Sequence, residues 1–332
     1  MMYYTSKLKS LQDIFGSRDI ELKSDSLTVN GRRYMIVDDV IVLLDEDQYP
    51  PLLRKKLEAG AVTGAASADF AQDIQFTFGQ EWQKFPDILP EHRQEFAQYF
   101  DLIDLSELKN ARVCDLGCGI GRWSFFLRDK CRELVLVDFS EAIFVARKNL
   151  RPSDNVLYFM ADINRLPFSA AFADFLFCLG VLHHMPANAL ESVRKLKKFS
   201  SSLLIYLYYS LDNRPKFFQT LLSLVNVIRL SVSRLRNDAF RCAFTNVVAV
   251  TVYLPLVWLG GLLHKMKLRF SVPLYDGYKG KTLSRIRQDV YDRFFTRIEQ
   301  RFSKKEIVGL RDSFREVVVS ESLPYWHFLC KK

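Results

Sequence analysis

Residues 111–124 read Ala-Arg-Val-Cys-Asp-Leu-Gly-Cys-Gly-Ile-Gly-Arg-Trp-Ser: an apolar run closed by Asp115, then glycines at 117, 119 and 121. A strand that ends this way and runs straight into a helix brings backbone close to a ligand, because glycine has no Cβ and tolerates positive φ. Asp115 puts a carboxylate at the carboxyl end of the strand, where open α/β sheets bind ligands. Two phosphate-binding loops are excluded by the spacing. The dinucleotide pattern Gly-x-Gly-x-x-Gly would need glycine at 120 or 122, which hold Ile120 and Arg122, and no Gly-Lys-Ser/Thr follows to make a P-loop.

Outward from this turn the chain alternates apolar runs with helical segments. Strands are expected at 112–116, 133–138, 156–161, 173–179 and 201–209, with helices at 121–130, 141–150 and 187–199. That alternation predicts a parallel sheet with helices on both faces. After an insertion the pattern resumes with a helix at 303–313 and short strands near 315–320 and 324–330. Upstream, residues 20–46 read as a small β unit turned at Asn30-Gly31, a hairpin signal. An Ala/Gly/Ser-rich stretch at 59–71 reads as a linker, followed by the aromatic segment 76–85.

With 332 residues, 49% hydrophobic and 26% charged, the chain is globular in composition and large enough to need no covalent staples. Its six cysteines form no Cys-x-x-Cys pair, so neither a metal site nor a disulfide framework is expected. Reduced thiols and an N-terminus without an apolar leader core point to the cytoplasm.

The net charge of +9 is placed unevenly: nine Lys/Arg against two Asp lie between 212 and 272. Inside that stretch, Phe244–Leu263 carries no charge over twenty residues, long enough to cross a bilayer. Pro255, Asn246 and basic residues at both ends (Arg234, Arg236 and Arg241; Lys265, Lys267 and Arg269) weigh against a span. A helical cap over the active site, or a cap that also dips into the membrane surface, accounts better for the composition.

The glycine turn and the strand order resemble those of class I methyltransferases that use S-adenosylmethionine. The resemblance covers 76–210 with specific motifs and 300–330 more loosely. It implies a Rossmann-like seven-stranded α/β sheet, into which the apolar, basic stretch reads as a helical lid between strands 5 and 6 and residues 20–46 as a small N-terminal β module. The boundaries expected are a β-rich module at 1–50, a helical lead-in at 51–110, the methyltransferase domain at 111–211 and 300–332, and the lid at 212–299.

S-adenosylmethionine is the cofactor implied, with Asp115, Gly117, Gly119 and Gly121 around it. Asp138 closes the second strand 21 positions after Gly117, a spacing at which nucleoside-binding folds place an acid on the ribose. In the family, the position of Asp162 accepts from the adenine amine and the backbone of Ile163 meets a ring nitrogen. Cys118, Phe139 and Leu179 belong to the same implied contact set. The text Gly-Val-Leu-His-His at 180–184 resembles that of small-molecule methyltransferases and puts His183 and His184 beside the reacting methyl as candidate bases. Tyr275, Asp276, Tyr278 and His327 are weaker candidates.

The expected partner is a small-molecule or lipid-linked substrate, with 212–270 as a peripheral contact at the inner face of the membrane. Nucleic acid is not expected, because the basic residues alternate with long apolar runs instead of forming a polar, aromatic-interleaved face. Two alternatives remain open at this point: an RNA methyltransferase using the basic insertion, and a non-catalytic scaffold of the same fold.

Overall fold

A computed structural model describes residues 3–57, 85–151, 153–235, 237–268 and 270–332. The 59–71 linker, most of the 76–85 aromatic segment, Arg236 and Arg269 lie outside the described residues. Helix α1 (Leu8–Phe15) precedes β1 (Ile20–Leu22), β2 (Ser26–Val29), β3 (Arg32–Val37) and β4 (Val40–Val42), and α2 (Pro51–Lys56) and α3 (Glu91–Tyr99) follow. The alternating body runs β5 (Arg112–Leu116), α4 (Ser124–Leu127), β6 (Glu133–Asp138), α5 (Ala142–Asn149), β7 (Val156–Met160), β8 (Phe175–Leu179), α6 (Ala189–Leu196) and β9 (Ser202–Tyr206). The insertion supplies α7 (Lys216–Val232), α8 (Asp238–Val248), α9 (Leu254–Lys265), α10 (Tyr275–Tyr278) and α11 (Leu283–Phe295). Helix α12 (Lys304–Val308), β10 (Glu316–Val319) and β11 (His327–Lys331) complete the chain.

The strand order is β1-β2-β3-β4-β7-β6-β5-β8-β9-β11-β10. From β7 onward this is the expected seven-stranded order, with β5, β6, β7, β8 and β9 parallel and β11 antiparallel to β9. The central strands are buried at every residue from β5 to β8, as sheets covered on both faces require. One apolar layer joins α1 and α6 to the sheet through Leu11, Ile14, Phe159 and Val193. The opposite layer holds Phe96 and Phe100 near α3 and Ile143 and Ala146 of α5.

The small N-terminal β module is continuous with the body, because β4 pairs in parallel with β7 and makes one eleven-stranded sheet. Val40, Ile41 and Val42 are all buried, so this strand gains cover on both faces by joining the edge. Asn30 and Gly31 both have positive φ in the β2–β3 turn, as its sequence predicts, and Asp38 and Asp39 do the same between β3 and β4. The Tyr4 hydroxyl donates to the Asp39 carbonyl (2.6 Å), and Arg147 of α5 pairs with the Asp39 carboxylate (2.6 Å). These contacts lock the N-terminal strands to the body.

The insertion lies between β9 and β10, as expected. Helix α8 runs through a π-helical turn at Ala249–Tyr253 into α9 without a break, so Pro255 begins a helix segment instead of ending one. Its inner side packs on α11 through Ala249 and Tyr253 against Ile286, Val290, Tyr291 and Phe295.

Candidate active site

The loop after β5 is shaped by the next strand. The amides of Gly117 and Cys118 both donate to the Val137 carbonyl (2.7 and 3.0 Å), which folds the chain back over the carboxyl end of β6. Gly117 has φ +81°, and a Cβ there would lie 2.4 Å from Val181 Cγ2. The Gly119 amide then donates to Asp138 Oδ2 (2.8 Å). Asp138 Oδ1 accepts from the Ser140 amide (2.8 Å) and hydroxyl (2.7 Å). The Phe139 backbone bonds to it as well, so the carboxylate is held by the loop and by its own strand end while the residue lines the cavity. Burial raises the Asp138 pKa against the lowering effect of these hydrogen bonds.

A cavity of about 810 Å³ runs along the carboxyl ends of the strands and under the insertion. Its strand-end wall holds Gly117, Cys118, Gly119, Asp138, Phe139, Ile163 and Leu179, seven of the residues singled out in the sequence for the cofactor. Gly180, at φ +82° and with nothing within 4 Å of its Cβ position, leaves this wall open to a ligand. Its lid wall holds Phe218, Leu222, Val225, Phe244, Val248 and Leu256.

The remaining singled-out residues sit elsewhere, for local reasons. Asp115 is buried beneath the loop and accepts from Ser124 Oγ (2.7 Å), so it shapes the turn from below. Gly121 faces α5, where a Cβ would lie 2.6 Å from Leu150 and 3.2 Å from Ala146. Asp162 caps the turn at Ile163–Arg165, its Oδ1 accepting from the Asn164 amide (2.8 Å). Asp162 does not line the cavity.

The two histidines part company. His183 is fully buried behind the wall and stacks on Tyr208 (3.9 Å between ring centres), and desolvation holds it neutral, well below its ordinary pKa. His184 lines the cavity. Its Nδ1–H donates to the Ile298 carbonyl (2.8 Å), which directs Nε2 toward Asp292 Oδ1, 3.8 Å away. The Tyr208 hydroxyl donates to the other oxygen of Asp292. Tyr208, Asp292 and Arg301 all line the cavity where its two walls meet.

Among the weaker candidates, Tyr278 lines the lid wall, as does Asp276, which is held by Arg214 (2.9 Å). Tyr275 packs its ring where a Cβ on Gly260 would stand. His327 is buried in β11 and pairs with Asp101.

Asp115 supplies a pH test. Burial pushes its carboxyl up to about 8, from 3.8 in an unstructured chain. A raised folded-state value means that stability is fully present at low pH and is lost as pH climbs toward 8. Asp115→Asn removes that titration while keeping the shape. Its stability relative to the native chain should therefore climb between pH 4 and 8 and level off above, as read by urea unfolding. A difference that stays constant with pH would refute the assignment.

Residues 113–199 match the family model described as "Methyltransferase domain". A curated relative, a tRNA U34 carboxymethyltransferase of Campylobacter hominis, is 29% identical over 113 residues, 33% of this chain. The match spans 38% of that relative's length. Solved structures with a similar fold include a SAM-dependent methyltransferase from Aquifex aeolicus (21% identity, 38% of this chain and 71% of that one, TM-score 0.33). Another is Haemonchus contortus phosphoethanolamine N-methyltransferase 1 (19% identity, 42% and 32%, TM-score 0.37).

Residues 113–199 therefore match a methyltransferase domain, set in an α/β sheet of the expected strand order. S-adenosylmethionine is the cofactor of this class, and the strand-end wall fits it. Asp138, Phe139 and Ile163 lie together in that wall and are the residues that would hold the ribose and flank the adenine. The glycine loop bonds its amides to Val137 and Asp138 instead of gathering them around a phosphate.

Proposed function

We propose that this chain is an S-adenosylmethionine-dependent methyltransferase whose acceptor is a small, apolar or lipid-linked molecule held under the helical insertion. One observation carries the reading: a single cavity joins a nucleoside-sized strand-end wall to an apolar lid wall, with Tyr208, Asp292 and His184 between them. The cofactor, when bound, supplies an electrophilic methyl group. What the chain contributes is positioning and exclusion of water.

An oxygen or nitrogen acceptor must also shed a proton. Asp292 is the group placed to accept it, fixed on one oxygen by Tyr208 and 3.8 Å from His184 on the other. Burial holds the Tyr208 phenol well above its ordinary pKa, so it remains a donor that orients the carboxylate. Arg301 lies over the Tyr208 ring (5.2 Å) and is paired with Glu299 (2.7 Å), which holds the guanidinium against that ring at the junction.

Calorimetry with S-adenosylmethionine and a labelled-methyl assay on a bacterial lipid extract and on total RNA test the reading. The native chain should bind the cofactor and label the lipid fraction. Asp138→Ala should weaken cofactor binding at least about tenfold, since it removes a charged acceptor worth roughly 1.5–3 kcal/mol. Unchanged affinity would refute the ribose assignment. Label in RNA and none in lipid would replace this acceptor class with the RNA reading, which the name of the Campylobacter relative also suggests.

A further inference from the structure

The outer surface of the insertion is unlike the rest of the molecule. Among the described residues, every exposed large apolar side chain except Val318 belongs to residues 217–270. They fall at helical spacing. Phe217, Leu221, Leu224 and Ile228 make one stripe on α7, and Val247, Val250, Leu254, Trp258 and Leu262 make another along α8 and α9. Trp258 and Phe270 are the most open, 70% and 71% exposed. Apolar surface on this scale marks a partner.

The charges around the stripes identify it. Lys216, Arg234, Lys265 and Lys267 are exposed at the helix ends, and Asp212 and Asp238 are the only acids between 212 and 272. The other two cations of these helices are spent inside: Arg229 donates to the carbonyls of Thr296 and Arg297, and Arg241 to that of Leu235. We propose that this face docks on an anionic lipid bilayer, with α7 and the α8–α9 helix lying in the interfacial plane, apolar stripes inward and lysines at headgroup level.

Three other occupants fit less well. The segment Asp238–Lys265 is long and apolar enough to cross a membrane. Its inner side, however, packs on α11, which carries Arg285, Asp289, Asp292 and Arg293, and a span would carry those ions into hydrocarbon. A second copy related by a two-fold axis would set the same cationic rim against itself with few acids to answer it. RNA would meet cations separated by long apolar stripes, not a continuous basic track. A bilayer satisfies both the apolar stripes and the fringe. Leu221, Ile228 and Val252 also lie both on the exposed face and in the cavity wall, so the apolar path to the site is continuous with the docking surface.

Docking stands apart from the methyl-transfer reading, because it is measured without cofactor. The full chain is floated with vesicles of phosphatidylcholine, alone or with about one-third phosphatidylglycerol. It should partition at least tenfold more strongly onto the anionic vesicles and be released by alkaline carbonate. The pair Leu224→Glu and Trp258→Glu, which lies outside the cavity wall, should cut that partition at least tenfold and leave the affinity for S-adenosylmethionine unchanged. Lys265→Glu with Lys267→Glu should abolish the preference for anionic lipid. Absence of flotation, resistance to carbonate, a dimer that shields Trp258 without binding vesicles, or salt-steep RNA binding without flotation would each overturn the proposal.

Discussion

Gly117→Ala is expected to abolish measurable cofactor binding while the chain stays folded. The new methyl group would lie 2.4 Å from Val181 Cγ2, 2.9 Å from Cγ1 and 3.1 Å from Cβ. A β-branched side chain cannot swing its methyls clear without moving backbone. Gly117 also sits at φ +81°, where an L side chain costs about 1–2 kcal/mol before any clash. Two responses are open to the loop: pushing Val181 away, or rotating Gly117 and losing the amide bonds to Val137. Either displaces the wall next to Asp138. Affinity for S-adenosylmethionine should fall at least about a hundredfold, the equivalent of ~3 kcal/mol. Gly31→Ala is the control, since it carries the same kind of backbone penalty (φ +78°) in the β2–β3 turn with nothing within 4 Å. Affinity retained within a few-fold in Gly117→Ala would show that the loop does not shape the site.

Glu95→Gln is expected to produce the largest loss of stability. Glu95 is buried on α3 and faces the insertion, where its Oε1 meets Lys281 Nζ (2.7 Å) and Arg285 Nε (3.0 Å). Desolvation raises its pKa, but Arg285 and Lys281 outweigh it and hold the carboxyl down at about 2, from 4.5 when unpaired. That depression is worth about 3 kcal/mol at neutral pH. Because the folded value is lowered, the contribution is complete above pH 4.5 and disappears as pH falls toward 2. Urea unfolding should therefore find the glutamine variant weaker by roughly that amount at pH 7, with the gap closing between pH 4.5 and 2. An equal gap at both ends of the range would mean that packing, not charge, is what Glu95 supplies. The ion pairs also join the lead-in helix to the lid across the cavity, so the variant tests what holds the lid down.

The sequence discloses the parallel body because its signals are local. Asp115 and the glycines announce a strand, a turn and a helix within fourteen residues, and Asp138 sits at a countable distance downstream. The lid is legible in outline, since twenty uncharged residues inside an α/β pattern must be a helix that covers something. What could not be read depends on contacts between distant segments. Nothing in Val40–Val42 states that its neighbour is Tyr158–Met160, more than a hundred residues away. Asp138 and Asp162 both stand at strand ends and both accept from the amide two residues on, yet only Asp138 lines the cavity, which the local sequence does not tell. Asp292, the proposed proton acceptor, carries no motif at all and reaches the site only because α11 folds back over Tyr208. A faint signal did exist: Tyr206, Tyr208 and Tyr209 crowd the end of a buried strand that otherwise has no use for hydroxyls.

The parallel pairing of β4 with β7 bears on where the protein can be cut. The segment matched by the family model, 113–199, looks like a self-contained unit in sequence, yet in space both of its borders are seams. On one side β7 would lose β4, and on the other β8 would lose β9, leaving two long apolar strands with their hydrogen-bonding edges bare. Such edges recruit other chains. The matched segment is therefore inseparable from the first fifty residues and from β9, which in turn pairs with β11 near the end of the chain, and insertions or fusions belong at surface turns such as Asn30-Gly31, where no partner strand is waiting.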